Sequence, residues 1–165
     1  MDTDTLTASF SENDIINALD LDRDNIQYID VHHDYGEGLV VELKLSPKPT
    51  PCPICNTMTT KIKGYRTRHI QHSIFNSTPC LIKYKARRYE CPLCHKTFYE
   101  SNHFTAGGTR LSVATVYNVL TALKVPTATF SEIGERYHIS ATSIANIFDN
   151  HVSLARRSLP ECLAF

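Results

Sequence analysis

Two copies of Cys-Pro-x-Cys, Cys52-Pro53-Ile54-Cys55 and Cys91-Pro92-Leu93-Cys94, are separated by 35 intervening residues, and no other feature constrains this chain as tightly. A C-x-x-C turn aims two thiolates at one point, so two turns supply the four sulfurs of a tetrahedral zinc site. The long gap requires the intervening residues to form structure of their own, as the hairpins of a zinc ribbon do. A thioredoxin-like redox pair would need one such turn beside a parallel βαβ pattern, which neither copy has. Cys91 to His95 matches the c-type haem attachment C-x-x-C-H, but that reading leaves Cys52 and Cys55 unexplained. Iron held by four thiolates would use the same ligands; zinc is favoured because nothing else suggests electron transfer. Cys80 and Cys162 read as small buried hydrophobes, and His95 and His103 as groups outside the ligand set.

The remaining sequence divides by charge. The formal net charge is zero over 165 residues, but residues 1–45 hold eleven acids against Arg23 and Lys44, a net −9, whereas residues 61–110 hold ten bases against Glu90 and Glu100, a net +8. With 42% hydrophobic and 21% charged residues the composition excludes disordered and fibrous classes. No apolar run approaches the roughly 20 residues of a membrane helix, and no leader pattern opens the chain, which predicts a cytoplasmic protein.

Residues 1–46 read as an acidic segment: a brief helix near 12–20 capped by Ser11, then a hairpin of Ile26–Val31 and Leu39–Leu45 around Asp34 to Gly38. Pro47, Pro49, Pro51 and Pro53 make a stiff connector into the first knuckle. Residues 47–105 form the expected ribbon. Within it Ile82, Tyr84 and Ala86 alternate with Lys83, Lys85 and Arg87, which predicts one packed and one basic strand face. Lys61, Lys63, Arg66 and Arg68 add charge to the preceding strand without keeping one parity. Basic strands are often only solvated surface, and some cations offset the −2 of a zinc tetrathiolate. Ten bases exceed that need, and with Tyr65, Tyr84, Tyr89 and Phe98 interleaved they suit a phosphate backbone.

After the turn Ala106-Gly-Gly-Thr109, residues 109–158 show helical periodicity: a helix capped by Ser112, a second capped by Thr129 or Ser131 over Glu132–Tyr137, and a third from Ser140. Gly134 permits a close helix crossing, and His138 stands where a helix-turn-helix usually has glycine. Ser140 caps the third helix and exposes Ala141, Thr142, Ser143 and Asn146 as candidate base readers, since recognition helices contact the major groove through their first residues. An ordinary three-helix bundle is the bland alternative.

Cys52 to Cys55, Arg66-Thr-Arg-His-Ile70, Arg87-Arg-Tyr-Glu-Cys-Pro-Leu-Cys-His-Lys-Thr-Phe98 and Phe130 to Phe148 together resemble the N-terminal region of ISL3-family insertion-sequence transposases over most of residues 40–165. The acidic first 35 residues carry little of the resemblance, and the expected chain is α+β: a small acidic helix–hairpin segment, a four-cysteine zinc ribbon holding structural Zn2+, and a C-terminal three-helix helix-turn-helix domain. The resemblance fits the last two parts. It implies recognition of double-stranded DNA at an element's inverted repeats in a bacterial nucleoid, with a homodimer left open. Phosphate contacts would come from Arg66, Arg68, Lys83, Lys85, Arg87 and Arg88, and base contacts from Thr142, Ser143 and Asn146, with the capping Ser140 also in the DNA-binding set. The family's DDE-type chemistry resides in a following RNase-H-like domain. Residues 159–165 look like the lead-in to that domain, broken off before its acids, which makes this chain a binding module and no enzyme. A stand-alone transcriptional regulator and a protein-interaction module are the other readings.

Overall fold

The computed structural model describes residues 10–73 and 78–153, so Cys162 and residues 159–165 lie outside the described residues. Helix α1 (Glu12–Ala18) begins with a capping box in which Ser11 accepts from the Asp14 backbone and Asp14 accepts from the Ser11 backbone. Strands β1 (Ile26–Asp34) and β2 (Gly38–Leu45) form the expected antiparallel hairpin. The short strands β3 (Thr50–Pro51) and β4 (Met58–Thr59) frame the first knuckle, followed by β5 (Ile62–Gln71), β6 (Cys80–Glu90) and β7 (Thr97–Tyr99). Helices α2 (Val113–Ala122), α3 (Phe130–Tyr137) and α4 (Ala141–His151) follow.

The acidic hairpin does not stand apart. Strand β2 pairs in parallel with β6, giving the sheet order β1-β2-β6-β5, with β7 added antiparallel to β6. The division at residues 46/47 therefore falls inside one sheet. It also falls inside one core, because Ile15 and Leu19 of α1, Leu39, Val41 and Leu43 of β2, Ile70 of β5, Ile82 and Tyr84 of β6 and Phe104 pack together. Strand β2 lies between β1 and β6, and Leu39, Val40 and Val41 are buried in succession, so both of its faces are covered at that end. Lys83 on β6 reaches back to Glu37 of the hairpin turn at 2.7 Å, so part of the charge asymmetry is neutralised within the fold.

A second core joins the three C-terminal helices through Val116, Val119, Ile133, Ile139, Ile144 and Ile147. Ser112, Thr129 and Ser140 are the N-caps, the Thr129 cap closing a box with Glu132. His138 occupies the left-handed region (φ 55°, ψ 38°) at the end of α3 and performs the backbone reversal expected of glycine. At Gly134 an added Cβ would lie 2.5 Å from the Ile139 carbonyl oxygen, so α3 and the turn are in direct backbone contact. Gly134→Ala should accordingly destabilise the helical unit by about 1–3 kcal/mol, read as a lowered thermal midpoint in circular dichroism. An unchanged midpoint would contradict this packing.

Polar contacts bind the two cores together. The Gln71 side-chain amide donates to the carbonyls of Tyr137 (3.2 Å) and His138 (2.5 Å), anchoring the α3–α4 turn to β5. His72 Nδ1 lies 2.7 Å from the Ser112 hydroxyl, and burial alone lowers its pKa to about 4, which keeps the imidazole neutral at this junction.

Candidate metal centre and basic surface

The two Cys-Pro-x-Cys turns fold as near copies of one another. In the first, the Cys52 N–H donates to Thr57 and the Asn56 N–H donates to the Cys52 carbonyl; in the second, Cys91 and His95 make the equivalent bonds with Lys96 and Cys91. Each turn needs a positive φ after its second cysteine, and Asn56 (58°) and His95 (57°) supply it. Asn and His tolerate that region better than most residues. His95 thus has a backbone role, and the repeated position after each knuckle was the signal for it. His103 serves elsewhere: its Nε2 donates to the Leu19 and Asp20 carbonyls at the end of α1.

The four sulfurs of Cys52, Cys55, Cys91 and Cys94 lie within 4.8 Å of one another. The contacts Cys55–Cys91 (3.4 Å), Cys52–Cys94 (3.6 Å) and Cys55–Cys94 (3.7 Å) are too long for disulfides. They match a tetrahedron with metal–sulfur bonds near 2.3 Å, whose edge is about 3.8 Å. Electrostatics point the same way. Hydrogen bonds from the Thr57 hydroxyl and backbone, then from Cys91, bring the Cys55 thiol down to about 6. The backbone N–H groups of Cys55 and Ile54 lower Cys52. For Cys94 the Lys96 backbone N–H favours the thiolate, but burial and the sulfurs of Cys91, Cys52 and Cys55 prevail and push it up to about 12. Without a cation the cluster resists complete ionisation, and a divalent metal removes that resistance. Four thiolates close the coordination sphere, so the zinc is structural and presents no open position for chemistry. Cys80 is separate from this site: it is buried in the sheet core, which pushes its thiol up to about 12.

The expected basic face is only partly present. Arg87 is 1% exposed and takes no part in a surface. Its Nη1 donates to Glu100 (3.0 Å), its Nη2 to Gln27 (2.8 Å) and the Leu45 carbonyl, while Glu100 also accepts from the Arg87 N–H (2.9 Å) and the Tyr84 hydroxyl (2.7 Å). The simple alternation fails because β6 changes neighbour here, from β2 at Tyr84 to β7 at Arg88. Arg87 and Glu100 fill the gap between those partners. Its assignment as a phosphate contact is corrected to an internal ion pair.

The other bases separate by parity. Arg66 and Arg68 pair with Ala86 and Tyr84, placing them on the core side of the edge strand beyond the reach of the core. Lys83 and Lys85 pair with His69 and Thr67 on the opposite side. There the Lys44 and Lys85 ammonium groups lie 4.9 and 5.4 Å from the centre of the Tyr65 ring. Lys61 and Lys63 are both held by Glu90. Arg88 is exposed and donates to the Thr97 hydroxyl at 2.9 Å. Of the interleaved aromatics, Tyr84 and Tyr89 are core residues and Phe98 stacks on Tyr89, leaving Tyr65 exposed.

On α4, Thr142 and Asn146 are exposed and Ser143 is half-buried. The Ser140 hydroxyl is occupied as the cap, accepting from the Ser143 N–H (3.2 Å) and contacting the Ser143 hydroxyl (2.8 Å), so its role is to start the helix. Ser143, Asn146 and Asn150 line a groove of about 600 Å³ whose other wall includes His69, Gln71 and Arg110.

The paired knuckles and four converging sulfurs define a four-cysteine zinc ribbon. Residues 48–94 match the family described as the zinc-finger of transposase IS204/IS1001/IS1096/IS1165, so this region is similar to the zinc ribbon of those transposases. No curated protein and no solved structure matches the chain. No helix among the described residues is long and apolar enough to cross a membrane.

Proposed function

We infer that the chain binds double-stranded DNA as the end-recognition part of a transposase, with α3 and α4 acting as a helix-turn-helix and α4 as its recognition helix. The observation that carries this reading is the groove in which the polar face of α4 meets His69 and Arg110 beside the zinc ribbon. Thr142 and Asn146 stand exposed in the first turns of a capped helix, where base-reading side chains sit in this motif. A transposase zinc ribbon next to them supplies phosphate contacts and no catalysis. Arg66, Arg68, Lys83, Lys85 and Arg88 are the basic candidates.

Asn146→Ala tests the base-reading role. It should cost about 1–3 kcal/mol on the preferred site while leaving affinity for unrelated duplexes unchanged. Equal loss on all sequences would overturn it. Selection of bound genomic fragments by the zinc-loaded chain should return inverted-repeat ends of mobile elements. Recovery of promoters would instead identify a transcriptional regulator built from the same parts.

A further inference from the structure

Arg66, Thr67, Arg68 and His69 of β5, Tyr99 of β7 and Arg110 line a recess of about 410 Å³. Three arginines from two separate chain segments line it, and no carboxylate residue is among its lining residues. Among the described residues none of the three arginines forms an ion pair, in contrast to Arg23, Lys61, Lys63, Lys83 and Arg87. Clustered cations without a counter-charge repel one another, and an anion with several acceptor oxygens relieves that repulsion.

Arg110 is delivered by the Ala106–Thr109 turn, which serves as more than a boundary. Gly108 takes φ +73°, the Thr109 hydroxyl bonds the Ala106 carbonyl (2.9 Å), and the Gln71 N–H donates to the Arg110 carbonyl (2.7 Å). The backbone of Arg110 is thereby fixed to the end of the edge strand that presents Arg66 and Arg68. The recess also continues into the α4 groove, since His69 and Arg110 line both.

We propose that Arg66, Arg68 and Arg110, with the Tyr99 hydroxyl, form a seat for a backbone phosphate of the DNA strand flanking the α4 groove. The planar guanidinium fork matches two phosphate oxygens at once, and three forks around one recess hold the strand in register without reading its bases. Arg110 and Tyr99 become binding residues that the charge pattern alone did not single out. The assignment rests on the duplex-binding reading above.

The test is equilibrium anisotropy of the zinc-loaded full chain on a duplex across a salt series. Arg110→Ala and Arg66→Ala should each weaken binding about 3- to 10-fold on every sequence and make the log–log salt slope shallower by about one. Arg110→Lys should keep the slope and recover part of the affinity, because it retains the charge and loses the fork. If the unaltered chain binds duplex and Arg110→Ala changes neither affinity nor slope, the seat is overturned while the helix reading stands. If the unaltered chain binds no duplex, both fail. Tight binding of inorganic phosphate abolished by Arg110→Ala, with duplex affinity unchanged, would make the recess a small-anion site and overturn the nucleic-acid assignment.

Discussion

Chelation of zinc under reducing conditions should abolish the ordered ribbon and with it the proposed DNA binding, while the helices of residues 113–151 should keep their far-ultraviolet signal. The size of this effect follows from comparing two magnitudes. Structural zinc contributes an apparent 10–16 kcal/mol or so in small zinc modules, which equals or exceeds the roughly 5–15 kcal/mol total stability of an ordinary domain. Here the metal joins segments with no other strong link: β3 and β4 form only a two-stranded ladder, and the second knuckle lies between the ends of β6 and β7. The Thr59 hydroxyl bond to the Glu90 carbonyl (2.8 Å) and the Glu90 N–H bond to Lys61 carry the disturbance into β5 and β6. Cys52→Ser should reproduce the loss, because an alcohol at that corner leaves three thiolates and a weakened site. The readout is amide exchange of residues 50–99 before and after metal removal. Protection that survives verified removal of zinc would refute the structural role.

Arg87→Ala should be the most damaging single substitution outside the knuckles, costing about 3–5 kcal/mol, because it leaves the Glu100 carboxylate buried without its cation. The Tyr84 hydroxyl and the Arg87 N–H would still donate to Glu100, yet neither supplies charge. Burial already raises the Tyr84 phenol far above its ordinary value, so that group remains a neutral donor throughout. Glu100→Ala should cost a comparable amount. The double replacement Arg87→Met with Glu100→Leu should lose less than either single change, since removing both partners removes the uncompensated charge. Urea denaturation of the zinc-loaded variants measures all three. The outcome separates this account from a surface role: a phosphate-contacting arginine would shift the salt dependence of binding and leave stability unaltered.

How much of this was readable beforehand depends on how local each determinant is. The knuckles were legible because Cys-Pro-x-Cys contains its own turn, and the caps at Ser11, Ser112 and Ser140 were legible because a cap spans four residues, whereas Thr129 was one of two candidates beside Ser131. Arg87 was misread because its burial depends on where β6 exchanges β2 for β7, a fact determined by residues more than ten positions away in either direction. The parallel pairing of β2 with β6 was likewise hidden, since both strands show the alternation or apolar runs that fit several partners. It makes the acidic segment the source of two of the sheet's five strands. Arg110 escaped notice as a single base after a glycine turn. Only the closeness of that turn to the end of β5 reveals it as a companion of Arg66 and Arg68.

The central claim is that a zinc-folded ribbon and α4 together present one surface to the DNA backbone. The most direct test is the affinity of the zinc-loaded chain for duplex DNA as a function of salt. Contact with about four phosphates, one at the Arg66–Arg68–Arg110 seat and one each at Lys83, Lys85 and Arg88, predicts a log–log slope of about −3.6. A slope near zero, or no measurable affinity with zinc bound, would contradict the account and leave the ribbon and helices as an assembly module.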